Sequence, residues 1–226
     1  MAVKQIDIII PTDYSTISLK KYITLQKELD SYRDNEEAMG ALILWHLCGL
    51  SPEYLKGLSI QDYAKIKDEL NTFIGNTQLP LQRIIEVNGV EYGFEPNLSQ
   101  MSYGAYADIT QYKNIAIDDN WAKIMAILYR PVVHKKGEAY QIETYNPTKV
   151  NSEMWEEVGM DVHFGALFFF VHLSIDLLNS TLSSLTTMEA PPDIKSILAR
   201  SGQLIQQSLN WQKAISLDSK KLRKSH

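Results

Sequence analysis

Ile84-Ile-Glu-Val-Asn88-Gly89-Val-Glu-Tyr-Gly-Phe94 is the stretch on which the fold turns. Ile85, Val87, Val90 and Tyr92 lie about Asn88-Gly89, a dipeptide that readily supplies the two positive φ angles of a type I′ turn. The run predicts an antiparallel hairpin inside a chain whose remaining pattern is chiefly helical. Just downstream, Ser102 is placed to cap a helix reaching Gln111 and carrying Tyr103, Tyr106 and Ile109. A further helix over about residues 118–129 carries Trp121, Ile124, Met125, Ile127 and Leu128. It runs into Leu128-Tyr-Arg-Pro131, where the proline disfavours helical backbone in the residue before it. Residues 132–133 and 140–143 flank Lys135-Lys-Gly137 and predict a second hairpin.

On the N-terminal side, Ile6, Ile8 and Ile10 alternate, so residues 3–10 read as a short strand stopped by Pro11. Asp13 or Ser15 can start a helix, and Ser18 offers a second cap. Leu19, Tyr22, Ile23, Leu25 and Leu29 then follow at near-helical spacing. Residues 30–35 are a polar break. The apolar run holding Met39, Leu42, Ile43, Trp45, His46 and Leu47 predicts a helix over 36–50, ended by Gly49. Ser51-Pro52 opens a short helix, because proline is favoured at the first helical position. Ser59 caps another helix, with Asp62 in its first turn and Tyr63, Ile66, Leu70, Phe73 and Ile74 as its buried stripe.

On the C-terminal side, Ser152 can cap a short helical turn that Gly159 breaks. A long helix is expected from Met160 to about Thr187. Ala190-Pro-Pro192 stops it, and a final helix from Asp193 to Ile215 would complete an αα-hairpin. The expected class is α+β and predominantly helical. It comprises an N-terminal strand plus helical lobe (1–77), a hairpin–helix–helix–hairpin segment (78–150), a C-terminal helical hairpin (151–217) and a disordered basic tail (218–226).

The totals bound the function. The 226 residues are 45% hydrophobic and 22% charged, ordinary for a globular protein that buries a core without staples. The single cysteine, Cys48, lies in an apolar run and reads as a buried, inert thiol, which fits an intracellular setting. The first residues lack the apolar core of a signal peptide. A net charge of −5 argues against a general nucleic-acid binder, leaving Lys220-Lys-Leu-Arg-Lys224 as a local exception. Residues 162–178 are the most apolar stretch. They are shorter than the roughly 20 residues a membrane span needs and contain His163, His172 and Asp176, so a buried helix is expected instead.

The candidate chemistry is sparse. Glu36-Glu37, Asp118-Asp119 and Glu156-Glu157 sit at helix starts, where negative charge meets the positive end of the helix dipole. Asp161 with His163, and His172 with Asp176, have spacings that invite a metal. Yet His163 and His172 are nine positions apart, on opposite faces of one helix, so core or interface histidines are the better reading. No Gly-x-Ser-x-Gly, phosphate-binding glycine loop or zinc motif is present. No catalytic, cofactor-binding or metal-binding residue is assigned, and a non-enzymatic protein is expected. What remains is the aromatic set. Tyr and Trp beside Arg130 are the residue types of interface anchors. Phe168-Phe-Phe170 covers most of a helix's circumference, which demands burial on several sides.

Several further stretches carry a resemblance: Ile6-Asp-Ile-Ile-Ile-Pro11, Ile17-Ser-Leu-Lys-Lys-Tyr22, Leu47-Cys-Gly-Leu50, Val87-Asn-Gly-Val-Glu-Tyr-Gly-Phe-Glu-Pro-Asn97, Met101-Ser-Tyr-Gly-Ala-Tyr106 and Ala126-Ile-Leu-Tyr-Arg-Pro131. Their order over about residues 3–150 resembles small proteins encoded among the virion and tail genes of tailed phages, the tail assembly chaperones. The resemblance implies a helper that holds an aggregation-prone partner, such as a tape-measure protein, in the host cytoplasm during assembly. Its partners would be other phage structural proteins, with self-association left open and no membrane. The contact surface expected is Tyr103, Tyr106, Trp121, Tyr129, Phe168, Phe169 and Phe170. The alternatives are a structural virion component (connector, baseplate or encapsidated cargo protein), a DNA-associated packaging factor leaning on the basic tail, and an enzyme of unknown type.

Overall fold

The Asn88-Gly89 turn forms as the sequence predicts, with φ of +52° and +76° at its two residues. The structure, a computed structural model, describes residues 8–75, 79–112 and 115–184, with side chains described to residue 176. The chain is α+β and predominantly helical, with one antiparallel four-stranded sheet. Its described residues divide into two units, one of residues 8–17 and 21–75, the other of residues 18–20 and those from 79 onward.

In the first unit, α1 (Leu19–Ser31) begins with residues that belong to the second unit and continues through the buried Leu25 and Leu29. Asn35 caps α2 (Glu36–Cys48) by accepting from the Ala38 amide at 3.0 Å. Gly49 closes α2 in the left-handed region at φ +70°, a conformation that costs glycine no Cβ clash. After α3 (Pro52–Leu55), Ser59 caps α4 (Ile60–Gly75), its hydroxyl accepting from the Asp62 amide at 3.0 Å and donating to that carboxylate at 2.7 Å. Ile43, Leu44, Leu47, Ile66, Leu70, Phe73 and Ile74 form this unit's core. Cys48 lies at the end of α2, and burial pushes its thiol up to about 11, so little reactive thiolate exists at neutral pH. The expected strand over 3–10 falls largely outside the described residues, and residues 8–10 are irregular.

The second unit is built on the sheet. Strands β1 (Ile84–Val87), β2 (Val90–Phe94), β3 (Tyr129–Lys136) and β4 (Ala139–Ile142) lie in sequential order, all neighbours antiparallel. Helices α5 (Tyr103–Thr110) and α6 (Trp121–Leu128) are inserted between β2 and β3. Backbone turns extended at Tyr129, so α6 passes into β3 without a loop and two residues before Pro131. The proline is tolerated within the strand because its carbonyl is what the ladder uses there, accepting from the Glu143 amide at 2.9 Å. The second hairpin turns at Gly137, φ +60°, with Lys136 opposite Ala139. Beyond it come α7 (Glu153–Glu156) and α8 (Met160–Ser184). The expected stop at Ala190-Pro-Pro192, the final helix to Ile215 and the basic tail lie outside the described residues.

Three helices meet at His163, which is wholly buried. Trp121 Nε1 of α6 donates to His163 Nδ1 at 3.2 Å, and His163 Nε2 of α8 donates to the Trp155 carbonyl of α7 at 3.0 Å. The indole has only a donor to give, so the ring is held as the Nε2–H tautomer with both nitrogens satisfied. Burial lowers its pKa from 6.5 to about 4, outweighing the backbone hydrogen bonds that favour the cation. A second proton, on Nδ1, would also face the Trp121 N–H head on.

Close approach fixes another contact. A Cβ placed on Gly165 would lie 2.5 Å from the Pro80 carbonyl oxygen, so α8 packs directly on the backbone that leads into β1.

Two tests follow from this core. Below pH 6.5 the unfolded chain takes up a proton that buried His163 refuses until about pH 4, so its contribution is intact above 6.5 and lost on acidification. Between pH 7 and pH 5 the wild type should lose about 2 kcal/mol more than His163→Gln, read from denaturant melts at each pH. Gly165→Ala should destabilise by about 1–3 kcal/mol, because backbone rather than a flexible side-chain tip must move.

Candidate functional site

The aromatic residues that the sequence groups together separate into two kinds. Trp121 and Tyr129 are core, 0% and 1% exposed, and offer nothing to a partner. Trp121 is fixed by His163, and the Tyr129 hydroxyl donates to the Gln82 carbonyl at 2.7 Å. Burial raises the Tyr129 pKa, with the neighbouring Tyr140 and Asp161 adding to it. Phe169 and Phe170 are half-buried, their rings 5.4 and 6.1 Å from that of Phe94 on β2. Phe94 in turn meets Tyr129 edge-on at 5.2 Å, and Tyr129 lies 5.2 Å from Trp155. These rings are the seam between α8 and the sheet, and edge contacts of this kind add to the apolar burial itself.

The other kind faces water. Tyr103 is 83% and Tyr106 57% exposed. They stand three residues apart on α5, hence on one face. The helix beneath them is well anchored: Ser102 Oγ accepts from the Ala105 amide at 3.3 Å, Ala105 is fully buried, and Tyr145 donates a short hydrogen bond to the Asp108 carboxylate. On α8, Phe168 is half-buried and stacks on Phe164 at 5.9 Å, while Val171 is half-buried and Ile175 exposed. Phe168, Val171 and Ile175 follow the 3–4 spacing of a helix stripe, so α8 keeps an apolar face beyond its core-packed half.

A cleft of about 230 Å³ opens beside the sheet, lined among others by Tyr92, Arg130, Glu143, Tyr145, Lys149 and Trp155. Its chemistry is mostly spent within the protein. The Arg130 guanidinium donates to the Glu95 carboxylate in a buried ion pair, and Lys149 approaches Glu143 at 3.9 Å. Arg130 Nε has no hydrogen-bond partner among the described residues, but it is sealed from solvent. The volume falls below the roughly 300–1,000 Å³ of typical small-molecule sites. The cleft therefore suits a few waters or a side chain better than a substrate.

Of the spacings that invited a metal, His163 is the core histidine described above. Asp161 accepts from Gln82 Nε2 at 2.6 Å, and His172 Nδ1 donates to the Phe168 carbonyl at 2.7 Å. Among the described residues no three His, Cys, Asp or Glu side chains converge as a metal would require. No helix among them is long and apolar enough to cross a membrane. The Glu95–Arg130 pair was not legible in the sequence. Its partners lie 35 positions apart, and only the β2–β3 pairing, with Gly93 opposite Arg130, brings them together.

No family model matches this chain, and neither does any curated protein or solved structure.

The ion pair has a measurable consequence. Glu95→Gln leaves a buried guanidinium without its counter-charge and should cost about 3–5 kcal/mol in a chemical denaturation curve. The double change Glu95→Leu with Arg130→Met should recover most of that loss, since an apolar pair needs no desolvation.

Proposed function

We propose that this protein is a non-enzymatic assembly factor of a tailed phage, akin to the tail assembly chaperones, that captures an apolar helical segment of a partner such as a tape-measure protein. The observation that carries this reading is the α5 face, where Tyr103 and Tyr106 stand 83% and 57% exposed on a firmly anchored helix. Large aromatics contribute little to stability when left in water, and a rigid tyrosine pair is the kind of anchor that dominates protein interfaces. The stripe of Phe168, Val171 and Ile175 is a second surface of the right chemistry, since a helix docks through apolar residues at 3–4 spacing. The order of motifs from Ile6 to Pro131 supplies the phage assignment, and action in the host cytoplasm follows from it. Capture of this kind requires no nucleotide and no bond-making step.

The test is co-purification from phage-producing cells, with partners identified by mass spectrometry. A tape-measure-like protein should be recovered with the tagged chain and should be accompanied by no copy of the chain in finished particles. Tyr103→Ala with Tyr106→Ala should reduce that recovery at least about tenfold, while thermal stability stays within about 0.5 kcal/mol of wild type because both side chains are exposed. Recovery of portal, tail or capsid proteins, with the chain itself in mature virions, would overturn the chaperone reading in favour of a structural virion component.

A further inference from the structure

Among the described residues strand β1 is an edge of the sheet, paired with β2 alone. The Phe94 amide bonds to the Arg83 carbonyl at 2.8 Å, and the pairs Ile85–Tyr92 and Val87–Val90 continue the same alternation toward the turn. In an antiparallel ladder the intervening residues direct their N–H and C=O groups the other way. Ile84 and Glu86 therefore present two amides and two carbonyls outward, and among the described residues no hydrogen bond reaches them from that side.

That edge is partly enclosed. It forms one wall of a groove of about 680 Å³, whose other wall is the turn from α7 into α8, with Met154, Val158 and Val162 supplying apolar surface. The charged residues lining the groove are Glu86, Glu157 and Asp161, the last already accepting from Gln82, and no lysine or arginine lines it. Lys20 approaches Glu157 at 3.8 Å, but both side chains are largely exposed, so the neutralisation is slight.

We infer that this groove is a strand-addition site, taking an extended basic segment of a partner protein that pairs with Ile84 and Glu86. Edge pairing fixes the occupant's backbone as extended, and the pleat fixes its side chains: aliphatic residues on the helix side of the sheet, where Ile85, Val158 and Val162 lie, alternating with lysine or arginine on the opposite face beside Glu86, with Glu157 and Asp161 adding to the negative field of the groove. A second copy of the chain is disfavoured, because edge-to-edge pairing would bring the same carboxylates together. The groove uses different residues from the α5 face, so it stands or falls independently of the assembly reading.

The probe is a fluorescein-labelled octapeptide of alternating valine and lysine, followed by anisotropy on the full chain at low salt. Two controls accompany it: the valine–glutamate counterpart, and the valine–lysine peptide with alternate backbone amides N-methylated. The unmodified basic peptide should bind at least about tenfold tighter than either control. Glu86→Lys with Glu157→Lys should weaken it by about tenfold or more, and both positions are exposed enough to leave the fold intact. Equal binding of the acidic peptide would overturn the site. So would undiminished binding of the methylated one, since attraction without strand pairing needs no backbone amide. Sedimentation showing a dimer that Glu86→Lys strengthens would assign the edge to a second copy instead.

Discussion

One buried histidine holds the second unit together. His163 accepts from the Trp121 indole and donates to the Trp155 carbonyl, so a single ring joins α6, α7 and α8. Both bonds need the neutral Nε2–H tautomer, and wholly buried surroundings enforce it by making the cation costly. Much else depends on that junction. Helix α6 passes straight into β3, so fixing Trp121 fixes the start of the third strand. Helix α8 lies against Pro80 at Gly165 and against Phe94 through Phe169 and Phe170, so fixing His163 fixes the rings that cover the sheet.

The same constraint decides which surfaces are left for other molecules. Once Trp121, Tyr129 and Trp155 are committed to the core, the exposed aromatic character of the unit rests with Tyr103 and Tyr106. The cleft beside Arg130 is small, and its charges answer one another within the protein. A buried ion pair like Glu95–Arg130 is costly to break but adds little over an apolar pair, so its role is better described as setting which residues face each other. By contrast, among the described residues the outer side of β1 carries unmatched backbone groups, in a groove lined by Glu86, Glu157 and Asp161. Two surfaces of different chemistry are therefore left outside the packing of the described residues: an aromatic helix face and an acidic strand edge.

Local signals decide the structure where the physics is local. Asn88-Gly89 specified its turn through positive φ, Gly49 ended α2 by the left-handed cap, and Ser59 and Ser102 capped their helices through hydroxyl-to-amide bonds. The sequence puts the end of α6 at about Tyr129, and the helix ends at Leu128, where pairing of Tyr129 with Phe94 takes the chain into strand; its start lies at Trp121 rather than at about residue 118. The aromatic residues could be grouped from sequence but not sorted. Trp121 and Tyr103 look alike as interface anchors, and only packing shows that one is buried against His163 while the other faces water.

What the sequence by itself determined is the class, an α+β chain, mostly helical, and, among the described residues, the two hairpins and the main helices, whose ends follow from caps, turns and periodicity. Tertiary structure alone decided the strand order, the joining of Glu95 to Arg130 across 35 positions, the tautomer of His163 and which strand, among the described residues, lies at the edge. The physical reason is range. Backbone conformation is governed by neighbours in the chain, whereas burial, charge pairing and which amide is left without a partner depend on segments that meet only after folding.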